Sequence, residues 1–174
     1  MMKDPVHGER GFSMLIGLYK EQLYHVIRKI VLVHDDADDV FQNTMIKIFR
    51  NINRFEQKSS LFTWMYKIAS NEAFSFLRSK KRVTGSDKGM DDTMTEKLLI
   101  ADDYFEGDAL QLELQKAVAG LPDKQREVFN LKYYDEMKYS EMSKLLHTSE
   151  GALKASYFHA VKKIEMHIKK SNLI

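Results

Sequence analysis

An all-α fold of two small helical domains is what this chain of 174 residues predicts, and three observations predict it. Only 8 glycines and 2 prolines interrupt a sequence that is 44% hydrophobic, the balance of a folded, mostly helical protein. Apolar residues recur at helical spacing through both ends of the chain. Between these ends, residues 84–108 (TGSDKGMDDTMTEKLLIADDYFEGD) hold three glycines, a cluster of acids and no sustained helical period. That stretch reads as a flexible acidic linker, with room for a short helix over residues 96–100. The expected domains are therefore residues 1–83 and 109–174, joined by residues 84–108.

The formal net charge of +2 conceals a segregation. Lys+Arg against Asp+Glu stand at 14 to 9 in residues 1–83, 2 to 8 in the linker, and 11 to 8 in residues 109–174. Two basic lobes thus flank an acidic connector, and each lobe can meet a polyanion by itself. With no cysteine, disulfides and thiolate metal sites are excluded, which suits a reducing cytosol. The opening residues lack a secretory signal, and no apolar run approaches a membrane span. A soluble, cytoplasmic protein is expected.

Within the first lobe, residues 12–33 carry Leu15, Leu18, Leu23, Val26, Ile27 and Ile30 as a rough helical stripe. A second helix follows, with Phe41, Met45, Ile48, Phe49 and Ile52 at helical spacing. Asp35, Asp36, Asp38 and Asp39 sit at its start, where carboxylates are expected to cap free N–H groups and favour the dipole. A third helix begins near Ser59 or Ser60. Phe62, Tyr66, Ala69, Ala73, Phe76 and Leu77 form its core stripe, and Thr63, Lys67, Ser70, Asn71, Ser75 and Arg78 a polar one. Arg78, Lys80, Lys81 and Arg82 close the lobe with a basic run. Lys67, Asn71 and Arg78 could track a strand backbone, and the loop over residues 54–60 could receive an unstacked base. Core packing is the competing reading for Phe62, Trp64 and Tyr66.

The second lobe opens with a helix near residues 110–119. Pro122 suits the first turn of the next, with Asp123 and Glu127 near its start. Residues 139–168 (YSEMSKLLHTSEGALKASYFHAVKKIEMHI) then read as two helices joined by a short turn, the second one basic. Leu153, Tyr157, Val161, Ile164 and Ile168 recur on one side and should pack on the preceding helices. Thr148 or Ser149 can cap the second helix. Lys154, Ser156, Phe158 and His159 then face away from the core, with Lys162 and Lys163 adding charge. Lysine suits phosphates or guanine, and an aromatic ring can meet a thymine methyl. An ordinary helical hairpin with a solvated basic face carries the same pattern.

The acidic run at residues 35–39 lacks the glycine and terminal glutamate of a calcium loop, and the six histidines show no zinc spacing. Without a glycine-rich phosphate loop, nucleophile elbow or acid–base pair, the chain is not expected to be an enzyme. No cofactor and no small-molecule substrate are expected either.

Taken together, these segments resemble the extracytoplasmic-function (ECF) group of bacterial sigma factors. DDADDVFQNTMIKIFRNINRF is similar to the family's region 2.2, and SSLFTWMYKIASNEAFSFLRSKKR to regions 2.3 and 2.4. The stretch LQKAVAGLPDKQREVFNLKYYDEMKYSEMSKLLHTSEGALKASYFHAVKKI is similar to region 4. The resemblance implies binding to core RNA polymerase and direction of it to promoter DNA. It implies that the helix over residues 38–50, with Asp38, Gln42 and Arg50, docks on the polymerase. Phe62, Lys67, Asn71 and Arg78, with the loop before them, would capture the unstacked −10 strand. Lys154, Ala155, Ser156, Phe158, His159 and Lys162 would read the −35 element. The acidic linker would thread toward the RNA exit path, and the family commonly has a membrane-bound anti-sigma partner. Relatives often carry arginine where this chain has Ser156, His159 and Val161, so bidentate arginine–guanine pairing is unavailable at those places. A helix-turn-helix regulator binding duplex DNA as a dimer, and a pure interaction protein, are the rival classes.

Overall fold

The computed structural model describes residues 5–83 and 109–171. The expected linker, with its short helix, lies outside the described residues. Among the described residues the regular structure is helical throughout, with no strand. They form two compact units, one within residues 1–79 and one within residues 80–174.

In the first unit, α1 (Pro5–Val31) is followed by α2 (His34–Asn51), a 3₁₀ turn (Ile52–Arg54) and α3 (Leu61–Val83). Chain reversal after α1 depends on Leu32, whose φ of 71° lies in the left-handed region and ends the helix two residues before the expected Val33. Leu23, Ile27, Ile48, Met65, Ala69 and Ala73 are fully buried at the centre of the three helices. Full burial of a side chain the size of leucine or isoleucine contributes roughly 1.5–3 kcal/mol. Ala69 and Ala73 lie one turn apart on α3 and both belong to this core.

Some sequence expectations change here. Leu18, placed on the apolar stripe, is 74% exposed, and Phe49 is exposed while holding an edge-on contact with Phe12 at 5.0 Å. Ser70, placed on the polar stripe, is buried, its hydroxyl directed at the Lys67 carbonyl at 3.5 Å. Phe74, absent from the expected core stripe, is buried. The N-cap residue of α2 is Val33, which supplies no side-chain cap, and Asp35 and Asp36 in the first turn complement the helix dipole.

The second unit contains α4 (Ala109–Ala119), α5 (Asp123–Tyr133), α6 (Tyr139–Leu146) and α7 (Glu150–Lys170). Ala117, Val118, Leu121, Phe129, Ala160 and Ile164 form its centre, and α7 lies against α4, α5 and α6. Arg126 is buried among them. Its Nε donates to the Val118 carbonyl at 2.9 Å and its Nη2 to the Ala119 carbonyl, satisfying the open carbonyls that end α4. Burial pulls its pKa down to about 10, against the opposing charge of Asp123, so the guanidinium stays charged at neutral pH.

Candidate nucleic-acid interface

The helix-turn-helix is assembled by local rules. The α6 helix begins where the Glu141 carboxylate accepts from the Lys138 N–H at 3.2 Å. It ends on His147, whose φ of 50° is the left-handed cap that usually falls to glycine. Two residues on, the Ser149 hydroxyl accepts from the Ala152 N–H at 3.3 Å and starts α7. Ser149 is thus the cap of the two candidates, while Thr148 donates back to the Leu146 carbonyl at 3.2 Å.

The two sides of α7 are sharply unlike. Leu153, Ala160 and Ile164 are buried, with Tyr157, Val161 and Ile168 half-buried beside them. Lys154, Ala155, Phe158, His159, Lys162 and Lys163 are exposed. Ser156 is half-buried, less open than its neighbours on the expected reading face. Phe158 is 54% exposed yet held in place, with Lys162 Nζ 4.6 Å from its ring centroid and the His159 ring edge-on at 5.7 Å.

Lys154 lies 3.9 Å from Glu150 and 5.6 Å from the centroid of Tyr139, the first residue of α6. Lys132, in the last turn of α5, lies 5.3 Å from the same centroid. Burial, with a smaller contribution from Tyr157, raises the Tyr139 pKa, so its phenol stays neutral. Neither Lys132 nor Tyr139 was among the sequence candidates. Nothing in a one-dimensional pattern joins a lysine of one helix to a ring that starts the next.

On the first unit, Lys67, Asn71 and Arg78 recur close to one line along α3, because steps of four and seven residues nearly complete whole turns. Asn71 and Arg78 are exposed and Lys67 is half-buried. Phe62 is half-buried, its ring stacked on Tyr19 at 5.9 Å and tilted against Tyr66 at 6.4 Å, so packing engages part of it. The preceding loop turns at Gln57 with a φ of 56°, and Phe55 rests on Trp64 at 5.6 Å. The Ser60 hydroxyl accepts from the Thr63 N–H at 3.1 Å and caps α3.

Along α2, Asp38, Gln42 and Arg50 are exposed, with Ile46 and Phe49 exposed between them. Asp38 is also tied internally. Tyr24 Oη donates to its Oδ1 at 2.8 Å, while His34 Nδ1 lies 2.9 Å from the same phenol oxygen. Among the described residues no helix is long and apolar enough to cross a membrane.

Comparison with known proteins agrees with this arrangement. Residues 15–83 match the family model Sigma-70 region 2, and residues 111–164 match Sigma-70, region 4. The chain is similar to the ECF RNA polymerase sigma factor SigW of Bacillus subtilis, 29% identical with 83% of this chain and 81% of that protein covered. It is similar to the ECF RNA polymerase sigma-E factor of Haemophilus influenzae, 25% identical with 90% and 87% covered. Its fold is similar to that of the sigma factor RpoE of Bartonella quintana, solved with the anti-sigma factor NepR. That likeness has a TM-score of 0.65 at 21% identity, covering 92% of this chain and 98% of that one. With regions 2 and 4 matched in order over most of its length, the chain belongs to the sigma-70 family of RNA polymerase sigma factors and is similar, within it, to ECF sigma factors.

Proposed function

We propose that this protein binds core RNA polymerase and directs initiation by capturing the −10 strand with residues 1–83 and reading the −35 duplex with residues 109–174. The observation that carries the reading is the two-sidedness of α7. Leu153, Ala160 and Ile164 anchor it, and the opposite side presents Lys154, Ala155, Phe158, His159 and Lys162. A helix held by one face and offering cations and an aromatic ring on the other suits a major groove. Ser156, half-buried, takes the edge of that surface.

In region 2, Lys67, Asn71 and Arg78 would follow the strand backbone, and Phe62 would lend its accessible part to an unstacked base. Opening is then driven by capture, since stacking and backbone contacts offset an unstacking cost of a few kcal/mol. Asp38, Gln42 and Arg50 would meet the polymerase. The linker over residues 84–108 would carry the acidic charge between the lobes. Held together on polymerase, two modest DNA contacts gain effective concentration and become selective. No bond is made or broken by this chain in that scheme.

An anti-sigma factor belongs to the same proposal, motivated by the complex in which the Bartonella sigma factor was solved; its membrane anchoring is only what the family resemblance implies. The site of action is the cytoplasm. Run-off transcription with core polymerase on a promoter pool tests the whole reading. Selective transcripts that require the chain are expected, and their absence together with failure to bind core polymerase would overturn it.

A further inference from the structure

We infer that Tyr139 is a positioning residue for DNA backbone contact: its ring holds the ammonium groups of Lys132 and Lys154, from two other helices, as one cationic pair for duplex phosphates. The inference rests on α7 being the duplex-reading helix and adds to that surface a contact from α5.

Three elements converge at this point. Lys132 comes from the end of α5, Tyr139 from the start of α6 and Lys154 from the second turn of α7. Both ammonium nitrogens lie within 6 Å of one ring centroid, at 5.3 and 5.6 Å. That is the range in which an aromatic quadrupole attracts a cation. A lysine side chain has much rotamer entropy to lose, and a shared ring restrains both stems before DNA arrives. Two like charges brought to one ring repel each other, and an anion between or beside them relieves that repulsion. The acceptors already at hand are weak competitors. Lys154 meets Glu150 at 3.9 Å in an exposed i,i+4 pair, the kind that contributes little, and Lys132 reaches the Met137 carbonyl at 3.4 Å. Repeating phosphates on a duplex, each with a full negative charge, outmatch both.

The neutral phenol matters as well, since a phenolate would trap the cations itself. Like any phenol, Tyr139 keeps its proton at neutral pH, and burial raises its pKa further. The ring therefore orients the lysines without neutralising them.

The test is binding of holoenzyme, reconstituted from core polymerase and the full chain, to duplex promoter DNA over a range of salt. Tyr139→Phe keeps the ring and should stay within about twofold of the parent, whereas Tyr139→Leu should weaken binding about three- to tenfold at low salt. Tyr139→Leu should also lower the steepness of the salt dependence, approaching the Lys132→Ala/Lys154→Ala double variant, in which about one unit of slope is lost per phosphate contact. Adding Tyr139→Leu to that double variant should cost nothing more. Phenylalanine analogues of rising fluorination at position 139 keep the shape and drain the π face, so affinity should fall stepwise with each fluorine. Flat affinity across the fluorinated series, or a Tyr139→Leu loss additive with the lysine losses, would overturn the inference while leaving α7 as the reading helix. A double lysine variant with an unchanged salt slope would overturn both.

Discussion

Glu113 and His167 meet across 54 residues of sequence: Glu113 Oε2 lies 2.9 Å from His167 Nε2, while its Oε1 takes Lys116 Nζ at 2.6 Å. The Lys116 side chain is only 8% exposed and that of Glu113 16%. This shielded network fastens the start of the second unit to the far end of α7. The hydrogen bond from Lys116 lowers the Glu113 pKa most; His167 adds to it, and desolvation opposes both. A carboxylate with a depressed folded pKa contributes stability that is complete above the ordinary carboxylate range and lost as pH falls through the depressed value. Glu113→Gln should therefore destabilise the second unit by about 1–3 kcal/mol at neutral pH, chiefly by leaving Lys116 buried without its counter-charge. The gap in melting temperature between parent and variant should narrow as pH falls through and below the ordinary carboxylate range, and a gap independent of pH would contradict this account.

Arg126 makes a second prediction. Its fork closes the end of α4 through the Val118 and Ala119 carbonyls. Arg126→Ala removes both donors and leaves a cavity, a loss of roughly 2–4 kcal/mol measurable by urea unfolding. Arg126→Lys should recover less than half of it, because a single ammonium on a flexible stem cannot span both acceptors in a fixed plane. Burial sets the folded pKa near 10, below the unfolded value, so the desolvation penalty is constant below that pH and eases only above it. Between pH 6 and 8 the Arg126→Ala deficit should not change.

The turn of the helix-turn-helix offers a stabilising change. His147 adopts a φ of 50°, at a cost of about 1–2 kcal/mol for a side chain with a β-carbon. His147→Gly should raise stability by about 0.5–1 kcal/mol after the extra freedom of glycine in the unfolded chain is counted. Denaturation midpoints of the two proteins give the answer directly.

How legible all this was in the sequence depended on the range of the interactions. Helix period revealed the buried side of α7 through Leu153 and Ile164, and the turn chemistry narrowed its cap to Thr148 or Ser149, of which the structure uses Ser149, since both signals are local. Ala160 and Phe74, both buried, escaped because the edges of an apolar stripe do not say where a neighbouring helix will press. The same limit put Leu18 in the core when it faces solvent. Asp38 was expected to cap its own helix, but Tyr24 of α1 supplies its hydrogen bond. The Lys132–Tyr139–Lys154 clasp exists only after three helices have packed and the Glu113–His167 contact only after two distant ones have, so no helical period reveals either.

On the proposed −35 surface, replacing Lys154 and His159 together with alanine should reduce −35-dependent run-off transcription about tenfold or more, since each lost base or phosphate contact contributes about 1 kcal/mol or more. Both side chains are exposed, so folding should be untouched. Core polymerase binding should persist in co-purification. Unchanged transcription from a −35-dependent promoter would remove α7 from that role.

The −10 assignment separates from the −35 one by the step it controls. Asn71 is exposed and Lys67 half-buried on the stripe shared with Arg78, away from the fully buried Met65, Ala69 and Ala73. Replacing Asn71 and Lys67 with alanine should leave duplex binding through α7 within about twofold, because those groups act only on a strand already unpaired. Losing a backbone cation and an amide donor should slow opening about tenfold, the equivalent of ~1.4 kcal/mol on the capture step. Permanganate reactivity of promoter thymines measures opening, and a gel shift on the same DNA measures binding. Reduced reactivity with retained binding is the expected pair of results. Normal reactivity in the double variant would mean that the captured strand runs elsewhere on α3 or its preceding loop.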